Sequence, residues 1–148
     1  MTPAYDEVYL ESSQDILGQA FDWVANTCND DLSLFCERLA KSKTGQLFAQ
    51  GHPKFVAGCN GAELVNFVME DLHLPEYQEP HEFFMDKSPE YWAGWVLAYF
   101  QCTRNLIFHE ILQKIPIQRL LSLYTTGHEQ DIRNVCDTLD AWILSTKE

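Results

Sequence analysis

Residues 88–105 read SPEYWAGWVLAYFQCTRN, which indicates a helix that is buried on almost every face. Ser88 is a suitable N-cap, Pro89 suits the first helical position, and Glu90 places an acid in the first turn. From Tyr91 to about residue 105 the sequence is apolar nearly all round, which is typical of a helix in the interior of a domain. The sequence therefore predicts a central apolar helix here.

Small residues on this helix would let a second helix approach closely, and Ala93, Gly94 and Ala98 are the candidates. Helical periodicity recurs in other parts of the chain, most clearly in the last helix. Its apolar positions are Ile132, Val135, Cys136, Leu139, Trp142 and Ile143. No segment alternates in the manner of a β-strand. We predict an all-α fold: a single compact domain over residues 1–148, with five to seven helices around the central apolar helix.

Two further local patterns divide the chain. Asn60 and Glu63 have the spacing of a capping box, which predicts a helix start after the glycine-rich residues 51–61. Residues 73–87 contain two prolines, several acids and few periodic apolar positions. We expect an acidic loop at about 73–87, which is also the best candidate for a flexible hinge within the fold.

The net charge is −12, and its distribution is uneven. Residues 1–31 and 63–86 contain seven acids each and no Lys or Arg. Such a field opposes direct binding to nucleic-acid phosphates, whose affinity depends on Lys and Arg. It would instead attract a basic protein partner. The alternative interpretation is that the charge only keeps the protein in solution.

Location is predicted from what the sequence lacks. No run approaches the roughly 20 apolar residues of a membrane span, and the N-terminus has neither the basic nor the apolar region of a secretory signal. The five cysteines are odd in number and irregularly spaced, which indicates reduced, mostly buried thiols. We therefore predict a cytoplasmic protein without membrane contact.

Catalytic and metal-binding motifs are also missing. The dipeptide His-Glu occurs three times, but a zinc-protease helix needs a second histidine four residues after the first. Gln113 and Ile132 occupy those positions in the two helical candidates. No Cys-x-x-Cys pair is present, and residues 58–61 are more typical of a tight turn before a helix than of a phosphate cradle. We predict no metal, no cofactor, no catalytic residue and no enzymatic activity.

Two groups of residues are candidates for contact with a partner protein. Tyr91, Trp92 and Trp95 form a dense aromatic series. Aromatic residues at helical spacing are more often buried in the core than exposed. Any of these side chains that stays exposed would be a binding hot spot. The segment around His128 and Asp131 places acids at the start of the last helix, where the helix dipole favours them. The same acids make that helix unsuitable for reading DNA.

Four segments of this chain carry a family resemblance. They are YLE at 9–11 with LGxAFD at 17–22, GxPKFVxGxxGxEL at 51–64, SxxYWAGWxLAYFQ at 88–101, and YxxxHExDI at 124–132. Together they resemble an uncharacterised family of small bacterial proteins built on a YWAGWxLAYYQW helix and a terminal YxxxHExDI segment. This chain departs from the pattern at Phe100 and Cys102, where the family has Tyr and Trp.

Members of that family are often encoded beside small proteins that look like ADP-ribosyltransferase toxins, so the resemblance implies an antitoxin- or immunity-like role. We predict a non-catalytic acidic protein that sequesters a basic or ADP-ribosyltransferase-like toxin and does not bind nucleic acid directly. The predicted partner-binding residues are Lys54, Tyr91, Trp92, Trp95, His128, Glu129 and Asp131. Two alternatives stay open: a phage or mobile-element inhibitor that mimics nucleic acid on a basic groove, and an enzyme that uses a His/Glu pair.

Overall fold

A computed structural model describes residues 2–83 and 87–145. Those residues contain ten α-helices and no β-strand, so the prediction of an all-α fold is confirmed. The helices are α1 Leu10–Asp22, α2 Leu32–Lys41, α3 Lys43–Ala49, α4 Pro53–Val56, α5 Gly61–Asp71, α6 Pro89–Arg104, α7 Phe108–Lys114, α8 Ile117–Leu121, α9 Tyr124–Gly127 and α10 Ile132–Ser145. A 3₁₀ turn, Glu7–Tyr9, precedes α1, and a π-helical turn, Trp23–Thr27, continues it.

The structure has more helices than the five to seven predicted, because local caps divide runs that look continuous in the sequence. Ser42 adopts an extended backbone conformation between α2 and α3, and its hydroxyl accepts the amide hydrogen bond of Gly45 at 2.9 Å. A side chain that caps a new helix in this way satisfies an amide that would otherwise lack a partner. The capping box predicted at Asn60 and Glu63 is present, with both bonds formed at the start of α5.

Helices α1 and α6 pack against each other most extensively, and glycines allow their close approach. A methyl group on Gly94 would lie 2.4 Å from the Leu17 carbonyl oxygen, and one on Gly18 would lie 2.8 Å from the Tyr91 ring. The amide group of Gln14 also donates to the Trp95 carbonyl at 3.3 Å across the same contact. The prediction that Gly94 lets a second helix approach is therefore confirmed.

One side of α6 is not fully covered. Trp95, Tyr99 and Thr103 are partly exposed and recur every four residues, so they form a single stripe along the helix. The other faces are buried, including Val96, which is 0 % exposed. The sequence predicts burial all round, but a small domain has few neighbouring elements with which to cover a 16-residue helix.

The last helix is attached by charged side chains as well as by apolar contacts. Arg104 donates to both carboxylate oxygens of Asp140, at 3.0 and 2.7 Å. The guanidinium carbon of Arg119 lies 3.8 Å from the centre of the Trp142 ring. None of the helices in the described ranges combines the length and the hydropathy that a membrane crossing requires.

Candidate functional site

The two acidic windows, which are separate in the sequence, meet in the structure at Asp30 and Tyr77. The Tyr77 hydroxyl donates a short hydrogen bond to the Asp30 carboxylate. This bond holds the pKa of Asp30 below its usual value. Burial, together with the same carboxylate, raises the pKa of Tyr77 to about 12. The bond therefore joins a carboxylate of the first window to the loop of the second.

Trp23 provides a second connection between the windows. Its indole N–H donates to the Pro80 carbonyl at 2.8 Å, and the Tyr77 and His81 rings pack edge-on against it, at centroid distances of 5.8 and 5.6 Å. The side chain is 0 % exposed although it lies in the turn after α1. The loop after α5 therefore covers Trp23.

Asn66 fixes the same loop to α5. Its side-chain oxygen accepts the Tyr77 amide at 2.9 Å, and its side-chain nitrogen donates to the Tyr77 carbonyl at 3.2 Å. In residues 74–83 the loop carries no helix, as predicted, but these bonds attach it to the body of the protein. A loop that acts as a hinge would need fewer attachments than this one has. Residues 84–86 of the predicted loop lie outside the described residues.

Another group of bonds joins the first window to the start of α6, which lies just outside the second window. The Ser88 hydroxyl donates to Asp22 at 2.5 Å, and the Asn26 side-chain nitrogen donates at 2.9 Å both to Asp22 and to Glu90. The Tyr91 hydroxyl donates a short hydrogen bond to Asp15. Asn26 thus holds two carboxylates close to each other.

We use the name acidic face for the acids carried by the segments that these bonds join, which are Asp22, Asp30, Glu76, Glu79, Glu82 and Glu90. Among the described residues, no Lys or Arg forms a salt bridge with any of them. A cavity of about 330 Å³ opens on this face between α5 and the loop, and Glu76, Glu79 and Phe67 contribute to its lining. The acidic face therefore carries several carboxylates and includes a depression, although Glu79 is half-buried and Arg38 is close enough to add to the Tyr77 bond in lowering the pKa of Asp30.

Lys54, a predicted partner-binding residue, is exposed and lies beside the acidic face. Its ammonium nitrogen is 4.6 Å from the centre of the Phe67 ring and 5.3 Å from that of Phe55. Because Phe67 also lines the cavity on the acidic face, Lys54 lies near its margin. The predicted residue Lys54 is therefore close to the acidic face in the structure.

The three aromatic candidates on α6 differ in exposure. Tyr91 and Trp92 are 9 % and 8 % exposed, which makes both of them core residues. The Lys87 ammonium lies 4.3 Å from the centre of the Tyr91 ring, and Trp92 packs edge-on against Tyr124. Trp95 is partly exposed. Of the three, Trp95 has the ring that a partner can reach without rearrangement.

The candidates near α10 form a separate exposed group. The His128 ring stacks on Tyr124 at 4.3 Å between centroids and contacts the Tyr124 carbonyl through Nδ1. Its Nε2 atom lies 3.9 Å from the Glu129 carboxylate. Asp131 accepts two hydrogen bonds from the Arg133 guanidinium, which lowers its pKa to about 2. Trp92 and His128 thus share a contact with Tyr124, but no described contact joins this group to Lys54.

The cysteines have pKa values that oppose thiolate chemistry at neutral pH. Burial raises the pKa of Cys28 and Cys136 to about 12 and that of Cys59 to about 11. It also raises the pKa of Cys36 and Cys102. Within residues 2–83 and 87–145, no three His, Cys, Asp or Glu side chains are arranged to hold a metal ion.

Trp23, Asp30, Asn66 and Tyr77, which build the acidic face, were not predicted as functional residues. Their bonds join positions from 11 to 57 residues apart, and several use a backbone group as the partner. No periodicity or motif encodes such pairs. The one available signal was the pair of base-free windows.

No protein-family model matches this sequence, and no curated protein or solved structure is significantly similar to it. The function must therefore be inferred from the chemistry of the described residues.

Replacing Asn66 with Ala is expected to release the loop. The variant loses both bonds to the Tyr77 backbone, and we expect a loss of about 2 kcal/mol in the free energy of unfolding, roughly 1 for each bond. Limited proteolysis should then cut within residues 74–83 sooner than in the wild type. The control is Asn134→Ala, an exposed asparagine for which no side-chain bond is seen. If both variants resist protease equally, the loop is not held by Asn66.

Proposed function

We propose that this protein is a non-catalytic acidic binding protein, antitoxin- or immunity-like, that sequesters a basic partner protein. The observation that supports this is the meeting of the two base-free windows. The Tyr77 hydroxyl donates a hydrogen bond to Asp30, and the Trp23 indole N–H donates one to the loop. Carboxylates without salt-bridge partners attract a basic surface and raise its rate of association. The family resemblance adds the kind of partner, a basic or ADP-ribosyltransferase-like toxin.

Lys54 extends the proposed interface at the margin of the acidic face, and Trp95 is a second proposed contact on the exposed stripe of α6. Both reach solvent, and Lys54 lies near the margin of the cavity on the acidic face. A partly exposed tryptophan is a common anchor in protein interfaces. His128, Glu129 and Asp131 would belong to the same interface only if the partner is large enough to reach the start of α10.

Co-expression with the product of the neighbouring reading frame tests the proposal. We expect a complex that survives purification and a partner whose toxicity is suppressed. The proposal fails if no complex forms and the toxicity of the neighbour is unchanged.

Charge reversal on the acidic face should weaken that complex. In Glu76→Lys/Glu82→Lys, two exposed acids of the face become cations. We expect the association rate to fall by about tenfold at low salt, because steering depends on the local field. The measurement is surface plasmon resonance against the immobilised partner.

The matched control is Glu37→Lys/Asp137→Lys, which changes the net charge by the same amount at exposed positions outside both windows. Equal losses in the two variants would mean that the total charge matters and the acidic face does not. The nucleic-acid-mimic alternative differs in its salt response. Binding by mimicry should lose affinity steeply between low and moderate ionic strength, through both the association and the dissociation rate. In the proposed interface, salt should lower the association rate, whereas the dissociation rate, which depends on the Trp95 anchor, should change little.

A further inference from the structure

A second cavity lies away from the acidic face, between α2 on one side and α7 and α8 on the other. Its volume is about 380 Å³, within the range of small-molecule sites. Cys36, Leu112 and Ile117 supply apolar lining, while Glu37, Lys41 and His109 supply polar groups. The cavity therefore combines an apolar lining with groups of both charges.

Glu37 and Lys41 are one helical turn apart on α2, so their side chains project from the same side of the helix. The spacing favours an ion pair, yet neither side chain forms a salt bridge within the described residues. Each charge is therefore available to a ligand. Residues one helical turn apart have Cβ atoms about 5–6 Å from each other, so two opposite charges at these positions can complement a molecule that carries an ammonium and a carboxylate close together.

A smaller cavity of about 260 Å³ adjoins the first, because Ala40 and His109 line both. Its other lining residues include Ala49, Ile107 and Phe108, which are apolar. Ile107 is 49 % exposed, so this pocket is open to solvent at its edge. A ligand with a charged head in the first cavity can therefore place an apolar group in the second.

We propose that the two cavities bind a free amino acid with an apolar side chain. The ammonium lies against Glu37, the carboxylate lies against Lys41 and His109, and the side chain occupies the pocket beside Phe108. This site is independent of the proposed partner-binding role, since none of its lining residues belongs to the acidic face.

Isothermal titration at low salt with three related probes tests the site. L-phenylalanine has both charges, phenethylamine lacks the carboxylate, and 3-phenylpropionate lacks the ammonium. We expect saturable binding of L-phenylalanine and weaker binding of the other two. Glu37→Gln should weaken L-phenylalanine and phenethylamine by about two- to fivefold, the size of an exposed ion pair, and leave 3-phenylpropionate unchanged.

Lys41→Gln should give the opposite pattern, weakening L-phenylalanine and 3-phenylpropionate but not phenethylamine. Ile107→Ala should weaken all three probes, because it removes apolar lining that they share. Glu70→Gln and Lys43→Gln, exposed positions outside both cavities, serve as controls and should change nothing. The proposal is overturned if L-phenylalanine shows no saturable binding, or if Glu37→Gln and Lys41→Gln affect the three probes alike.

Discussion

A Gly94→Ala variant is expected to lose about 3 kcal/mol in the free energy of unfolding, near the upper end of the usual cost of overpacking. The added methyl group would lie 2.4 Å from the Leu17 carbonyl oxygen and 2.8 Å from its carbon. Both are backbone atoms of α1, which cannot rotate away as a side chain can. The two helices would have to separate along their most extensive contact.

The sign of this prediction opposes the intrinsic preference of the helix. Alanine favours a helix interior over glycine by about 1 kcal/mol, so without the contact the substitution would stabilise α6. Urea unfolding followed by far-UV circular dichroism gives the free energy directly.

Gly58→Ala is the matched control for Gly94→Ala, because it makes the same chemical change where the nearest atom is 3.0 Å away. A few tenths of an ångström of local movement accommodates that methyl group, and we expect a loss below about 1 kcal/mol. Equal stability in the two variants would contradict the close packing of α1 on α6.

The fold class and the small residues of α6 were predictable because their signals are local. Ser88, Pro89 and Glu90 give the helix start within three positions, and the structure places Ser88 as the cap, with its hydroxyl 3.0 Å from the Tyr91 amide. Gly94 stands out because an interior glycine costs helix stability and needs a packing reason. Such features require no knowledge of distant residues.

The orientation of α6 could not be predicted. A helix that is apolar almost all round has no polar face to indicate which side meets solvent, so Tyr91, Trp92 and Trp95 looked equivalent. Neighbouring elements decide their exposure: α1 covers Tyr91, Tyr124 covers Trp92, and Trp95 remains on the open stripe.

The acidic face was predictable only as an excess of charge. That Asp30 and Tyr77 would meet depends on the loop turning back over Trp23, and this path is fixed by Asn66 and by the Pro80 carbonyl. A side chain can form a hydrogen bond to the backbone of almost any residue, so the sequence does not distinguish this path of the loop from other paths.

Alkaline pH is expected to destabilise the protein progressively above about pH 9, because the buried thiols and phenols keep their protons to higher pH in the folded state than in the unfolded chain. Burial raises the pKa of all five cysteines above the usual 9, to about 12 for Cys28 and Cys136. It also raises the pKa of Tyr5, Tyr77 and Tyr91 above the usual 10. The unfolded chain releases these protons first.

The direction of the effect follows from proton binding. Between the unfolded and folded pKa values the folded state holds more protons, so its stability is complete below pH 9 and falls as the pH rises through the folded values. The full slope is about 1.4 kcal/mol per pH unit for each group. Several of the groups are partly exposed and contribute less, so we expect a total loss of about 5 kcal/mol between about pH 9 and 11.

The stability of native domains is about 5–15 kcal/mol, so a loss of that size is a large part of it and reaches the whole at the lower end of the range. Urea midpoints measured at intervals from pH 7 to about 11 should therefore decline steeply above pH 9. Cys136→Ala removes one of the buried thiols, and its decline should be shallower than that of the wild type. A stability that stays flat to about pH 11 would mean that the thiols and phenols meet water in the folded state.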